Sequence, residues 1–150
     1  MTHIFNACLS RNLNLVKYLV EHELDINKES IEGLTPLFNA CKSGNLNLVK
    51  YLIRLGVDIN KEDNDGSASL FSACQEGHIT IVKYLVEHGL DINKEDNNGN
   101  TPLSTACQRG HIIMEKYLIE HGADINKENN DGNTILNSAC FNEDLNLIKF

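Results

Sequence analysis

Two segments have the spacing of a chemical site. Cys74 and His78, and again Cys107 and His111, read as C-x-x-x-H. On one helix that spacing sets a thiolate and an imidazole side by side, as a metal or a nucleophile pair would need. Two facts weigh against chemistry. Gly77 and Gly110 interrupt each pair, and both pairs recur in register with copies that lack the histidine. Asn12 and Asn45 stand where His78 and His111 stand. A catalytic pair would occur once and would need a third group to orient the base. A buried cysteine beside a helix-start histidine is the expectation, with no metal and no cofactor. No glycine loop is spaced to cradle a phosphate.

The recurrence organises the whole chain. Residues 33–65 return nearly verbatim from Gly66 and from Gly99, with a damaged copy before them and a clipped copy after. All five cysteines (Cys8, Cys41, Cys74, Cys107, Cys140) share one column, and all four tyrosines (Tyr18, Tyr51, Tyr84, Tyr117) share another. A unit of 33 residues cannot bury its own apolar face, so copies must stack on neighbours. The division is 1–32, 33–65, 66–98, 99–131 and an incomplete 132–150, within one domain over 1–150.

Copy two shows the elements. Thr35-Pro36 is a helix start, a hydroxyl cap before proline at the first helical position. Gly44 ends that helix, and Asn45 caps a second one. There Leu48, Val49, Leu52 and Ile53 fall on one face. Gly56 ends it, and residues 57–66 form an extended finger with a turn at Asn64-Asp65-Gly66. Copy one carries Arg11 and Glu23 in the Gly44 and Gly56 columns. If those columns are left-handed, each replacement costs about 1 kcal/mol. Copy four carries Glu115 in a column otherwise filled by Val16, Val49, Val82 and Ile148. The neighbouring Ile112, Ile113 and Met114 predict a small rotation that moves the carboxylate off the core. The chain stops at Phe150, mid-helix by alignment with Tyr51. That points to a fragment of a longer array, or to an end covered by end-to-end self-association.

These residues resemble the ankyrin repeat. The resemblance covers all five copies and rests on Thr35-Pro36-Leu37, Thr101-Pro102-Leu103, Gly77-His78, Gly110-His111 and Gly122-Ala123-Asp124-Ile125-Asn126. Tetratricopeptide arrays have a similar period but lack the glycine columns and the finger. The resemblance implies an all-α solenoid of stacked helix-turn-helix units with β-hairpin or loop fingers. It departs at one column: the family's T-P-L-H histidine is replaced by Phe5, Phe38, Phe71, Ser104 and Asn137. The polar bridge which that histidine provides in the family is therefore in question, with aromatic packing expected in its place. The resemblance also brings asparaginyl hydroxylation into view, since Asn60, Asn93 and Asn126 match the family's finger asparagine.

The net charge is −8, and the four fingers 25–32, 58–65, 91–98 and 124–131 hold 13 acids against four lysines. The rest of the chain is close to neutral, so the excess acid forms one strip. Such a strip disfavours nucleic acid and anionic membranes as partners, and is either a solvated edge that keeps the protein soluble or a surface for a protein with basic residues. Cysteines one period apart lie about 10 Å from each other in stacked helices, too far for disulfides. With no signal-like run in residues 1–20, that predicts a reducing, cytoplasmic setting.

The resemblance implies partner binding through finger tips and the first-helix face. Positions on that surface that vary between copies are the candidates. At the first-helix end they are Lys42, Ser43, Gln75, Glu76, Gln108 and Arg109. Along the fingers they are Asn64, Asp65, Asn97, Asn98, Asn130 and Asp131, joined by Glu62, Glu95 and Glu128 beside them, whose column is glutamate in every finger. After the finger glycine they are Ser67, Asn100 and Asn133. A spacer within a longer array, and a regulatory segment of an enzyme whose catalytic part lies elsewhere, are the rival functions.

Overall fold

The computed structural model describes residues 3–137. Its helices come in pairs: α1 (His3–Leu9) with α2 (Leu13–Glu21), α3 (Pro36–Ser43) with α4 (Leu46–Arg54), α5 (Ser69–Glu76) with α6 (Ile79–Glu87), and α7 (Pro102–Arg109) with α8 (Ile112–Glu120). The chain turns helical again at 135–137. The first helices pack in series, α1 on α3, α3 on α5, α5 on α7, and each first helix packs on the second helix of its own pair. The small pairs Ala7-Cys8, Ala40-Cys41, Ala73-Cys74 and Ala106-Cys107 are fully or nearly fully buried. Small side chains let the first helices approach closely, and Ile4, Leu37, Leu70 and Leu103 fill the space beside them. One continuous apolar cluster runs from Ile4 to Ile135. Strand structure among the described residues is limited to a single antiparallel bridge, Glu62 to Ala68. The fingers are stacked turns.

Helix boundaries follow the local signals. Pro36 and Pro102 sit at the first helical positions, and Gly44, Gly77 and Gly110 end their helices in the left-handed conformation. Asn45 caps α4 by accepting from Leu48 N–H at 3.1 Å, and Asn12 does the same for Leu15 at 2.9 Å. α5 starts on time although Ala68-Ser69 replaces Thr-Pro. Packing against α3 and α7 supplies what the local signal lacks.

Two expectations fail. The Thr35 hydroxyl makes no cap bond, whereas Thr101 does. The third helical residue decides this. Ser104 Oγ accepts from the Thr101 N–H at 2.9 Å and closes a capping box, and Phe38 at the equivalent place cannot. Nor does α8 rotate. Glu115 stays in the core column at 2 % exposure while Ile113 is 77 % exposed. The column is fixed by neighbours on both sides: Met114 and Leu118 are already buried at their expected places, and turning the helix would expose them. Ile148 and Cys140, like the end of the chain at 138–150, lie outside the described residues.

Arg11 and Glu23 adopt φ values of 61° and 64°, in the columns where later copies carry glycine. A side chain there is strained by the clash of Cβ with the following carbonyl. Each of Arg11→Gly and Glu23→Gly is expected to stabilise the chain by about 1 kcal/mol. A thermal melt would show a rise of roughly 2–4 °C per substitution. An unchanged or lower midpoint contradicts the strain.

Burial pushes the Cys8 thiol from its ordinary 9.0 up to about 12. Cys41 is raised to about 12 by burial foremost, and Cys74 is raised further by burial and by Cys41. In the unfolded chain these thiols ionise near 9.0. Their contribution to stability is therefore whole below pH 9 and is lost as pH climbs towards 12, by on the order of 1 kcal/mol per pH unit for each thiol. Denaturant midpoints taken across that window should fall with pH, and the fall should be shallower in Cys41→Ala. Equal slopes in the two proteins would overturn this.

Candidate protein-binding face

Each finger tip is built on one acceptor side chain. Asp63 Oδ1 takes the N–H groups of Asp65 and Ser67 at 3.0 and 2.9 Å. Asp96 takes those of Asn98 and Asn100, Asn129 those of Asp131 and Asn133, and the Ser30 hydroxyl those of Glu32 and Leu34. Asp, Asn and Ser all suit this turn because each offers a short-armed oxygen, two bonds from Cα in Ser and three in Asp and Asn.

The tips are then tied to one another. Asn64 N–H donates to the Glu32 carbonyl at 2.9 Å, Asn97 to Asp65 at 2.8 Å, and Asn130 to Asn98 at 2.9 Å. The same asparagines donate a second time through Nδ2, to the carbonyls of Ile31, Asn64 and Asn97 at 2.9, 3.1 and 2.9 Å. Each lies over the glycine that closes the preceding finger. A Cβ on Gly66 would stand 2.5 Å from Asn97 Oδ1. Ion pairs join the fingers lower down, Lys61 to Glu29, Lys94 to Glu62 and Lys127 to Glu95, at 2.8, 2.7 and 2.6 Å. These pairs are half-exposed and contribute little stability, but they fix the lysines along the strip.

At the opposite edge a second set of bridges stands in for the missing histidine column. His78 Nε2–H donates to the Lys42 carbonyl and His111 Nε2–H to that of Gln75, each at 3.0 Å, and Asn45 Nδ2 reaches the Arg11 carbonyl at 2.8 Å. The His78 ring fills the space above Gly44. The polar bridge between copies is thus kept at a different column. It also uses both histidines of the C-x-x-x-H pairs, and Cys74 and Cys107 are buried away from solvent. His22, His88 and His121 cap their helices through Nδ1–H to the carbonyls of Tyr18, Tyr84 and Tyr117 at 2.7–2.8 Å. Lys17, Lys50 and Lys83 lie over the next copy's tyrosine at 5.4–5.6 Å.

Between the fingers and the first helices runs a groove of about 560 Å³. Leu9, Leu34, Phe5 and Phe38 form its apolar part, and Glu32, Asp63, Glu76 and Lys42 are its charged residues. A small polar cleft lies further along, lined by Asn100, Ser104, Gln108, Asn129 and Asn133 among others.

Family models for ankyrin repeats match residues 4–96, as three copies, and residues 85–139, as many copies. The chain belongs to the ankyrin repeat family. Comparison with curated proteins gave no significant match to any single one. Ankyrin repeats are in general protein–protein interaction modules and typically non-catalytic. No described helix of this ankyrin chain is long and apolar enough to cross a membrane.

The residues singled out in the sequence divide by what they already do. Asn64, Asn97 and Asn130 spend their amides on the neighbouring finger. Glu62 and Glu95 hold lysines, and Glu128 continues their row. Ser67, Asn100 and Asn133 close the base of each tip through N–H and C=O groups. The Ser43 hydroxyl donates to the Ala40 carbonyl and accepts from Asn45 N–H. Lys42, Gln75 and Glu76 line the groove, and Gln108 lines the polar cleft. Asp65, Asn98, Asp131 and Arg109 present exposed side chains. Leu9 and Leu34 were not among the candidates. They were legible all the same: each is apolar where the three inner or later copies are polar, Lys42/Gln75/Gln108 for Leu9 and Ser67/Asn100/Asn133 for Leu34, and only the terminal Phe141 and Met1 share their character.

Scaffold and free positions should separate in a melt. Asn97→Ala removes the bond to Asn64 and is expected to cost about 1 kcal/mol. Asp65→Ala should stay within about 0.5 kcal/mol of the parent. Equal midpoints for the two variants would contradict the assignment of Asn97 to the scaffold.

Proposed function

We propose that this chain is a non-catalytic binding module whose five copies, divided as 1–32, 33–65, 66–98, 99–131 and 132–150, form one domain. It holds an extended segment of another protein in the groove, with basic residues of that segment along the finger strip. The supporting observation is the groove itself: an apolar floor at Leu9 and Leu34 flanked by Glu32, Asp63 and Glu76, with Lys42 the one cation lining it among the described residues. An apolar side chain anchored there supplies burial, and complementary charge supplies specificity and fast association. The burial of Cys41 and Cys74, which pushes their thiols up, argues against a cysteine nucleophile, because the thiolate is the reactive form. Thiols of this kind also suit a reducing, cytoplasmic setting. The carboxylate strip argues against nucleic acid and anionic lipid as ligands.

A displayed peptide library selected on the chain tests this. Selected sequences should carry Lys or Arg on either side of an apolar residue. Their affinity should fall with salt, and should drop at least tenfold in Leu9→Glu and in Asp65→Lys/Asp131→Lys, both with near-parental melting. Selection of acidic or uncharged sequences, or binding indifferent to these substitutions, would sink the proposal.

A further inference from the structure

We infer that Asn98 is a site of spontaneous deamidation, held in check by the finger ladder. Asn98-Gly99 is the only Asn-Gly pair in the chain. Glycine lacks the side chain that normally shields the backbone nitrogen following an asparagine. That nitrogen, on losing its proton, adds to Cγ of Asn98. The Cγ–Nδ2 bond breaks and ammonia leaves, giving a five-membered imide. Water opens the imide at either carbonyl, which leaves aspartate or isoaspartate at position 98. No oxidant or cofactor is needed.

The local geometry distinguishes this asparagine from its neighbours. Asn97 and Asn130 commit their side-chain amides to the ladder, and Asn129 commits its Oδ1 to its own tip. The Asn98 side chain is exposed and lies outside the ladder. Its backbone is pinned: its N–H donates to Asp96 Oδ1 at 2.9 Å, its carbonyl accepts from Asn130 N–H at 2.9 Å, and Gly99 N–H donates to the Asp96 carbonyl at 3.0 Å. Asn130 also sits on Gly99, with Oδ1 2.9 Å from where a Cβ would be. The attacking nitrogen is therefore free only when the tip opens: Asp96 holds it directly, and the Asn130 side chain, donating to the Asn97 carbonyl at 2.9 Å, braces the tip from the next finger. The product has a consequence. The column reads Glu32, Asp65, Asn98, Asp131, so the reaction fills the one uncharged place in a row of acids. The isoaspartate product adds a methylene to the backbone and displaces the carbonyl that Asn130 uses.

Incubation of the whole chain at neutral pH, followed by peptide mapping with fragmentation, reads the reaction as a mass gain of one unit. The gain should appear first at position 98, as a mixture of aspartate and isoaspartate. It should run about fivefold faster in Asn130→Ala, the factor that losing one ordinary hydrogen bond gives. Circular dichroism of that variant checks that the helices persist. Conversion spread evenly over Asn64, Asn97 and Asn130, or absence of isoaspartate, would overturn the assignment. An unchanged rate in a folded Asn130→Ala would overturn the role given to the ladder.

Discussion

A helix pair of this length has too little surface to bury its own apolar face, and every other feature follows from that shortage. The first helices stack because Ala-Cys pairs let them approach, and the cluster from Ile4 to Ile135 is shared by successive copies. Contact with a neighbour is thus the unit of stability. This explains why polar bridges recur at each junction and why their location can shift. With phenylalanine in three copies of the column where the family carries histidine, His78, His111 and Asn45 bridge from the start of the second helix instead. What is preserved is a donor aimed at the carbonyl-rich end of the preceding first helix.

Repetition made much of this fold legible. Glycine columns marked helix ends, Asn45 marked a cap, and the cysteine column marked the close approach. The strain at Arg11 and Glu23 could be read from the gap each leaves in a glycine column. What stayed hidden depended on contacts outside the local sequence. Whether Thr35 or Thr101 caps its helix turns on the residue three places on. Glu115 is held in the core by Met114 and Leu118, although its own stretch offers an apolar alternative. Comparison between copies also merged two roles at the tips. Asn64, Asn97 and Asn130 vary against Ile31 as a recognition residue would, yet they stitch adjacent fingers. Ile31, with no amide to donate, is 92 % exposed.

The charge distribution takes on a different weight once the ladder is known. Glu29, Glu62 and Glu95 are each matched by a lysine from the following finger. The carboxylates left to act on a partner are those at the tips and beside the groove, Glu32, Asp63, Asp65 and Asp131 among them. The face between the fingers and the first helices is also uneven along its length. Leu9 and Leu34 make it apolar at the first copies, and Asn100, Gln108 and Asn133 make it polar at the later ones. A partner segment laid along it would meet a hydrophobic anchor at one end and amides at the other.

Residue-resolved amide hydrogen exchange tests most directly whether neighbouring copies hold each other in register at the fingers. The N–H groups of Asn64, Asn97 and Asn130 point at the preceding finger, so the account predicts that they exchange as slowly as the helices flanking them. Exchange of these three amides at the rate of an open loop, with the helices still protected, would contradict it.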